Sequence, residues 1–154
     1  MKVLVDVNVF LDVLTRRRDW VSSLQVLHLL RHVPALDGWT SALTVPVLYF
    51  FRRRVFSEAQ ARADAQTAIR GLQLVPLTSA LLDTAAACSL PDFEDNIQLA
   101  SAQAITAEYL ITRNTKHFEP APLPVLTPDA WVAVEAVTTL YRTHLASRMT
   151  ENKP

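Results

Sequence analysis

Cysteine and glycine are scarce in this sequence, and their scarcity excludes several kinds of functional site. Cys88 is the only cysteine in 154 residues, so a disulfide scaffold is impossible, and one thiol with four histidines argues against a tetrahedral Cys/His zinc site. With only Gly38 and Gly71, the chain contains neither a dinucleotide-binding fingerprint nor a phosphate-binding P-loop. No serine lies in a nucleophile-elbow pattern. We therefore expect no Rossmann cofactor, no P-loop NTPase and no serine hydrolase of that type.

The chain also lacks an excess of charge and any long apolar run. Lysine plus arginine and aspartate plus glutamate number 15 each, so the net charge of zero gives no general attraction to nucleic acid or to an anionic membrane. The first apolar run meets Asp6 before a signal-peptide core could form, and later runs are broken by Arg, Asp or Pro. We expect a soluble, cytoplasmic protein with no membrane partner, which binds any polyanion through a local patch.

Half of the residues are hydrophobic, which is enough for one globular core. We predict a single domain over residues 1–146 and a polar C-terminal tail over residues 147–154. Short apolar runs typical of buried strands alternate with segments of helical periodicity, and this alternation predicts an α/β fold with a mostly parallel central sheet flanked by helices. The predicted strands are 2–5, 36–40, 72–77, 109–112 and 123–126, and the predicted helices are 7–14, 20–33, 43–51, 57–71, 78–88, 93–107 and 129–145.

The first group of polar residues follows the predicted N-terminal strand. Asp6 ends that strand, and Asn8 and Asp12 lie in the helix after it. In one interpretation Asp6 caps the helix and Asp12 lies on the solvated helical face. In the other, Asp6 is a carboxylate that the strand delivers to the C-terminal edge of a parallel sheet, where ligands commonly bind.

A second group of acids, Asp92, Glu94 and Asp95, surrounds the start of a predicted helix. Asp92 can cap the helix, and the other two can complement the helix dipole. A functional interpretation requires that this group meets Asp6. Two carboxylates about 4 Å apart repel by about 4 kcal/mol at an effective dielectric constant of about 20, so such a pair needs a proton or a divalent cation. Oxygen ligands without Cys or a nearby His indicate Mg²⁺ or Mn²⁺.

The third segment, Thr112-Arg113-Asn114-Thr115-Lys116-His117-Phe118, directly follows a predicted strand. Its hydroxyl and amide residues could satisfy a turn, and its His-Phe pair could pack against the sheet edge. In the functional interpretation, Thr112 and Asn114 lie beside the same metal ion, while Arg113 or Lys116 contacts a phosphate group.

These three segments resemble the three signatures of PIN-domain ribonucleases. They are Val3-Leu4-Val5-Asp6-Val7-Asn8-Val9, Asp92-Phe93-Glu94-Asp95 and the segment from Thr112 to Phe118, and they occur in the family's order and spacing. The resemblance covers roughly residues 2–131. Within the family, the sequence is similar to the compact bacterial PIN proteins that include VapC-type toxins of toxin-antitoxin operons. It implies a central parallel sheet flanked by helices and cleavage of RNA phosphodiester bonds that depends on Mg²⁺ or Mn²⁺.

The resemblance also implies roles for individual residues. Asp6 matches the first acid of the family, and Asp95 matches the acid that opens the late helix. Asn114 matches the Asp or Asn after the fourth strand, and Thr112 matches the hydroxyl residue before it; these four are the implied catalytic residues. Asp92 and Glu94 are neighbouring, weaker candidates. The implied metal ligands are Asp6, Asp95, Asp92 and Glu94.

The sequence departs from the family pattern at one position. The family usually places Glu, sometimes Asn, early in the helix after its second strand, but Val47, or alternatively Pro46, occupies that place here. Ser41, at the end of the second predicted strand, matches a small polar residue often found there. Loss of the acid is expected to weaken metal binding, and it leaves open a slow or inactive nuclease.

Two arginine triplets, at 16–18 and 52–54, form local positive surfaces in a chain of zero net charge. Exposed arginine runs are often only solubilising, but they also suit phosphate contacts. The first triplet lies near the expected mouth of the site, whereas the second could equally meet an acidic partner. The predicted substrate-binding residues are Asn8, Ser41, Arg16, Arg17, Arg18, Arg113 and Lys116.

The leading hypothesis is a metal-dependent endoribonuclease that acts as the toxin of a toxin-antitoxin pair, with RNA as substrate and a cognate antitoxin as partner. The alternative is a catalytically weak or inactive PIN-like module that binds RNA or an antitoxin. A phosphatase-like hydrolase with Asp6 as nucleophile is disfavoured because the usual second Asp, two residues later, is Asn8. We also predict a homodimer built on the early helices and helix 43–51, since so apolar a chain has more nonpolar surface than one small core buries.

Overall fold

Five short strands form one sheet in which every neighbouring pair runs parallel. The computed structural model describes residues 1–151. The strands are β1 (Lys2–Val5), β2 (Asp37–Ser41), β3 (Gln73–Val75), β4 (Tyr109–Ile111) and β5 (Val125–Leu126). Their order in the sheet is β3-β2-β1-β4-β5, so β1 lies in the centre between β2 and β4. The predicted parallel sheet flanked by helices is confirmed.

Eight α-helices connect and flank the strands of the described residues. Three of these helices begin with a side-chain cap, because Ser57, Thr78 and Thr127 each accept a hydrogen bond from a backbone N–H of the first helical turn that follows. The helices are α1 (Val7–Thr15), α2 (Trp20–His32), α3 (Thr44–Arg53), α4 (Glu58–Ala68), α5 (Ser79–Ala87), α6 (Phe93–Ala104), α7 (Pro128–Val132) and α8 (Glu135–Glu151).

The central strand is buried on both sides, because its alternate side chains point to opposite faces of the sheet. Val3 and Val5 pack into a core with α1, α2 and Trp131, whereas Leu4 packs into a second core with α5 and α6. On the first side, α2 approaches β2 so closely that a Cβ atom at Gly38 would lie 2.9 Å from the Cβ of Leu30. Glycine is therefore required there for close packing rather than for a turn.

The prediction of one final helix over residues 129–145 is wrong. The chain forms α7, leaves the helical conformation at Val134 and begins α8 at Glu135. This break brings both Trp131 and Val137 into the core, since each side chain is at most 1% exposed. Residues 147–151 of the predicted polar tail continue α8, and residues 152–154 lie outside the described residues. None of the helices in residues 1–151 has the length and hydropathy needed to cross a membrane.

The sheet topology brings the ends of β1 and β4 together. Val5 pairs with Ile111, so the next residues, Asp6 and Thr112, emerge side by side at the C-terminal edge of the sheet. The backbone N–H of Asp6 donates to the carbonyl of Ile111 (2.9 Å), which fixes this register. Helix α6 begins at the same edge and packs against β1, β2 and β4.

Candidate active site

Asp6 is buried at the end of β1, and its carboxylate does not cap α1. The carboxylate oxygen Oδ2 accepts hydrogen bonds from Thr112 Oγ1 (2.7 Å) and Asn8 Nδ2 (3.0 Å), whereas Oδ1 is buried without a hydrogen-bond partner among the described residues. Burial raises the pKa of Asp6 to about 6, although both hydrogen bonds lower it. Because a buried polar atom without a partner is costly, Oδ1 is the atom that needs an external partner.

The acids at the start of α6 lie close to Asp6. Burial raises the pKa of Glu94, and the negative charges of Asp6, Asp92 and Asp95 raise it further. Burial also raises the pKa of Asp95, while Asp92 adds to the rise. Asp92 itself caps the helix, since its Oδ1 accepts a hydrogen bond from the backbone N–H of Glu94 (2.7 Å). The two acid groups therefore meet at one sheet edge, as the functional interpretation requires.

His117 is a site residue that the sequence did not single out. Its Nδ1 lies 3.1 Å from Asp95 Oδ2, and this hydrogen bond lowers the pKa of the carboxyl. The residue belongs to a single 3-10 turn after β4 (Thr115–Phe118), in which Phe118 is buried while His117 is exposed. One interpretation of the sequence had both members of the pair packing against the sheet edge, but only Phe118 is buried. The adjacent buried Phe118 anchors the turn that holds the imidazole at the site.

Two further predicted residues complete the β4 side of the site. Thr112 is fully buried, donates its hydroxyl proton to Asp6, and accepts a hydrogen bond from the backbone N–H of Asn114 (3.1 Å). Thr112 thus orients one oxygen of Asp6 and shapes the turn that follows. Asn114 is exposed, and its side chain does not cap the 3-10 turn. Its amide is therefore available at the rim of the site.

A cleft of about 200 Å³ is lined by the acids at the start of α6 together with Asn114 and His117, while Asp6 and Thr112 are buried and do not line it. Val47 of α3 forms part of its wall, so an apolar residue lines the cleft with the acids at the position where the family pattern places a further acid. Phe51, one helical turn later, also lines the cleft. The full lining is Val7, Asn8, Leu11, Arg17, Val47, Phe51, Asp92, Glu94, Asp95, Asn114 and His117.

One residue of the first arginine triplet reaches the cleft. Arg17 lines it and donates from Nη1 to Asn8 Oδ1 (3.3 Å), which links it through Asn8 to Asp6. Arg16 lies over the ring of a neighbouring tryptophan, and Arg18 is paired with an adjacent aspartate. The structure therefore places one cation, rather than three, at the mouth of the site.

Three other predicted substrate-binding residues do not line the cleft. Ser41 is buried, and its hydroxyl accepts a hydrogen bond from the backbone N–H of Leu43 (3.3 Å). Lys116 is exposed on the 3-10 turn. The guanidinium of Arg113 points to Asp12 instead, with Nη1 3.1 Å from Asp12 Oδ2. Asp12 is fully buried, so the interpretation that it lies on a solvated helical face is wrong.

Comparison with known proteins identifies the family. A model of the PIN domain matches residues 2–116, which is most of the chain. The chain belongs to the PIN domain family. A comparison with curated protein sequences gives no match.

Solved structures share the fold of this PIN domain at low sequence identity. The VapBC2 complex from Rickettsia felis, bound to a promoter DNA fragment, is similar with 16% identity and a TM-score of 0.66, over 82% of this chain and 98% of that one. A toxin-antitoxin complex from Klebsiella pneumoniae is similar with 23% identity and a TM-score of 0.61, over 82% and 97%. VapC20 from Mycobacterium tuberculosis, described as a sarcin-ricin loop cleaving toxin, is similar with 11% identity and a TM-score of 0.56, over 70% and 86%.

The acids of this PIN domain fit a hard divalent cation with few protein ligands. Within residues 1–151, no three His, Cys, Asp or Glu side chains form a complete metal-ligand cluster. Mg²⁺, however, usually keeps several waters and binds proteins through one or two carboxylates. The unpartnered Oδ1 of Asp6 and the carboxylate of Asp95 are oxygen donors of this type. A cation between them would also offset the mutual repulsion that raises the pKa of Glu94.

Proposed function

We propose that this PIN domain is a metal-dependent endoribonuclease that acts as the toxin of a toxin-antitoxin pair. The observation that carries the proposal is the buried Asp6 oxygen without a partner, which lies close enough to Glu94 and Asp95 of the acidic cleft for their charges to interact. Membership of the PIN family supports nuclease chemistry, and the similarity to toxin structures supports the biological role. Such a role places the protein in the cytoplasm, where its RNA substrate is found.

The residues in and beside the cleft have different proposed roles. Asp6 and Asp95 would hold the Mg²⁺ or Mn²⁺ ion, with Glu94 and Asp92 as the neighbouring acids. When bound, the ion would supply positive charge opposite the phosphate oxygens that become more negative in the transition state. Thr112 donates a hydrogen bond to Asp6 Oδ2, so Oδ1 is the oxygen that would hold the ion.

The phosphate would be positioned at the rim of the cleft. Asn114 presents an exposed amide there, and Arg17 presents a guanidinium whose remaining N–H groups suit a phosphate oxygen. Asn8 holds Arg17 in place and donates to Asp6, so it couples the phosphate-binding cation to the acid. These contacts orient the scissile bond without reading a base sequence.

Incubation of the purified protein with total cellular RNA tests the activity. We expect internal cleavage with Mg²⁺ or Mn²⁺, no cleavage with excess EDTA, and recovery when the metal is restored. Sequencing of the new RNA ends would identify the cut sites. Cleavage that persisted in EDTA, or RNA that stayed intact with either metal, would contradict the proposal.

Val47 favours a second candidate function, a PIN-like module that binds RNA or an antitoxin with little or no catalysis. Its apolar side chain faces the cleft where a further acid would strengthen the ion site. Calorimetry with Mg²⁺ and Mn²⁺ distinguishes the two functions. Binding that Asp95→Asn abolishes supports the enzyme, and no binding at millimolar metal supports the module.

A substitution at the same position makes a stronger test of the cleft. Val47→Glu is expected to tighten Mn²⁺ binding about tenfold, because an additional carboxylate ligand raises the charge and ligand number of the site. In EDTA the same substitution should lower the melting temperature, since a further negative charge joins the unneutralised acids. Val47→Gln, which has similar shape and no charge, is the control. Equal Mn²⁺ affinity in the two variants would show that residue 47 does not face the ion.

We also propose that the protein binds a cognate antitoxin and forms a homodimer through α1, α2 and the N-terminal part of α3, so that Phe50 and Phe51 at the end of α3 stay outside the interface. A twofold dimer would place two acidic clefts along one groove, so that arginines contact phosphates on both sides of the cut. Light scattering at micromolar concentration should give about twice the 17.2 kDa mass of the chain. A monomer mass at that concentration would reject the dimer, while co-purification with the product of a short adjacent reading frame would support the antitoxin.

A further inference from the structure

The end of α3 carries an exposed patch that the proposed chemistry does not use. Phe50 and Phe51 are 55% and 38% exposed, and their rings meet edge to face with centroids 6.2 Å apart. The guanidinium of Arg54 lies 4.4 Å from the ring centroid of Phe50 and 5.6 Å from that of Phe51. We call these three residues the aromatic-arginine patch. Exposed aromatic rings beside a guanidinium are typical of surfaces that bind single-stranded nucleic acid.

The patch is continuous with the acidic cleft. Val47 and Phe51 are four residues apart on α3 and both line the cleft, and Arg54 follows three residues later in helical conformation. A helix rises 1.5 Å per residue, so Phe51 lies about 6 Å and Arg54 about 10 Å along the axis from Val47. The patch therefore begins at the wall of the cleft and leads away from the acids.

Two members of the second arginine triplet differ in their contacts: Arg52 is held in a salt bridge, whereas Arg54 can bind an external anion. Arg52 forms a salt bridge with Asp64 (2.6 Å) and donates to the carbonyl of Leu14 (3.2 Å), so it ties α3 to α4 and α1. Arg54 has no carboxylate within salt-bridge distance in the part of the chain that the structure describes. Stacking on the phenylalanine rings holds its guanidinium while leaving N–H donors for an external anion.

We propose that the aromatic-arginine patch is a subsite for an unpaired nucleotide next to the scissile phosphate. Phe51 stacks on the base, and Arg54 pairs with the adjacent phosphate. Bases within a duplex are already stacked on each other, so only an unpaired base offers a face to the ring. The subsite would select loops and single strands over duplex RNA. The inference rests on the proposed ribonuclease function and names the form of RNA that the same site accepts.

The experiment measures RNA binding separately from cleavage. The probe is a fluorescein-labelled single-stranded RNA of twelve nucleotides, used alone and annealed to its complement, with fluorescence anisotropy as readout. All variants carry Asp6→Asn to prevent cleavage. Phe51→Leu removes the ring and keeps an apolar side chain, and Tyr141→Leu on α8 is the matched control because Tyr141 is 36% exposed and does not line the cleft. Arg54→Gln is matched by Arg62→Gln on the exposed face of α4.

Phe51→Leu is expected to weaken single-strand binding about tenfold and to change duplex binding less than twofold, because base–aromatic stacking is lost only where bases are unpaired. Arg54→Gln should weaken binding and reduce the slope of log affinity against log salt by about one. Equal single-strand affinities for Phe51→Leu and Tyr141→Leu would overturn the subsite. A Phe51→Leu protein that binds RNA with wild-type affinity but has a different mass by light scattering would also overturn it. Single-strand binding that depends on Phe51 in a protein whose wild type does not cleave RNA would support the subsite and contradict the ribonuclease.

Discussion

Asp6→Asn is expected to reduce RNA cleavage at least about 100-fold while stabilising the metal-free protein. The loss of activity follows because asparagine removes the anionic oxygen that would hold the ion. The gain in stability follows from burial, which raises the pKa of Asp6 from 3.8 in its reference state to about 6. At neutral pH an ionised Asp6 therefore destabilises the native state by about 3 kcal/mol. Asparagine keeps a polar group at the unpartnered position, so a net gain of roughly 1–2 kcal/mol is expected.

The pH dependence of this stability difference has a definite sign. Well below pH 3.8 the carboxyl of Asp6 is protonated in both the native and the unfolded state, so the penalty disappears, and at pH 4 it is already small enough that the two proteins should be similarly stable. As the pH rises through 4 to 6, the unfolded state loses its proton first, and the wild type loses stability relative to Asp6→Asn. Denaturant unfolding in EDTA at pH 4 and pH 7.5 measures the difference.

Metal addition and a control variant complete this test. Millimolar Mn²⁺ should raise the melting temperature of the wild type and leave Asp6→Asn unchanged, because only the wild type retains the carboxylate that is proposed to hold the ion. Asp83→Asn, at an exposed position of α5, should resemble the wild type in cleavage and in stability at both pH values. An Asp6→Asn protein that folds and cleaves RNA at the wild-type rate would remove Asp6 from the mechanism.

The sequence predicts the parallel sheet and the proximity of Asp6 to the acids of 92–95. Both predictions follow from local residue patterns and from the general rule that parallel strands end at the same edge of a sheet. The apolar run from Lys2 to Val5 ends at Asp6, and the acids of 92–95 begin a helix. In a parallel sheet all strands end at the same edge, so strand-end residues converge without knowledge of side-chain packing. The same rule brings Thr112 to Asp6, and their hydrogen bond of 2.7 Å confirms the contact.

The features that the sequence does not predict depend on long-range partners. The segment from Trp131 to Tyr141 has helical periodicity and contains neither Gly nor Pro, so no local signal marks the break before α8. The break instead follows from tertiary packing, because it allows both Trp131 and Val137 to be buried in the core. Asp12 likewise has a position typical of an exposed helical face, but Ser23 and Arg113, which are 11 and 101 residues away in sequence, contact its carboxylate.

Arg113→Ala is expected to destabilise the protein by roughly 3 kcal/mol, because it leaves a buried carboxylate without its cation. Asp12 is fully buried, and its Oδ2 accepts hydrogen bonds from Ser23 Oγ (2.8 Å) and Arg113 Nη1 (3.1 Å). The guanidinium also donates to the carbonyl of Arg18, so it connects the turn after β4 with the loop between α1 and α2. Removal of Arg113 should therefore loosen the two loops that carry Asn114 and Arg17.

A double variant separates this structural role from phosphate binding. Asp12→Asn combined with Arg113→Met should be more stable than Arg113→Ala, since no buried charge is left unpaired, and the coupling can be measured by a double-mutant cycle with chemical denaturation. Lys116→Ala, an exposed cation on the neighbouring 3-10 turn, should change stability by less than about 0.5 kcal/mol. If Arg113→Ala kept wild-type stability and lost only affinity for RNA, Arg113 would be a phosphate contact, as its position between Thr112 and Asn114 first indicated. If Arg113→Ala lost stability and the double variant recovered it, the role of Arg113 would instead be to neutralise the buried carboxylate of Asp12.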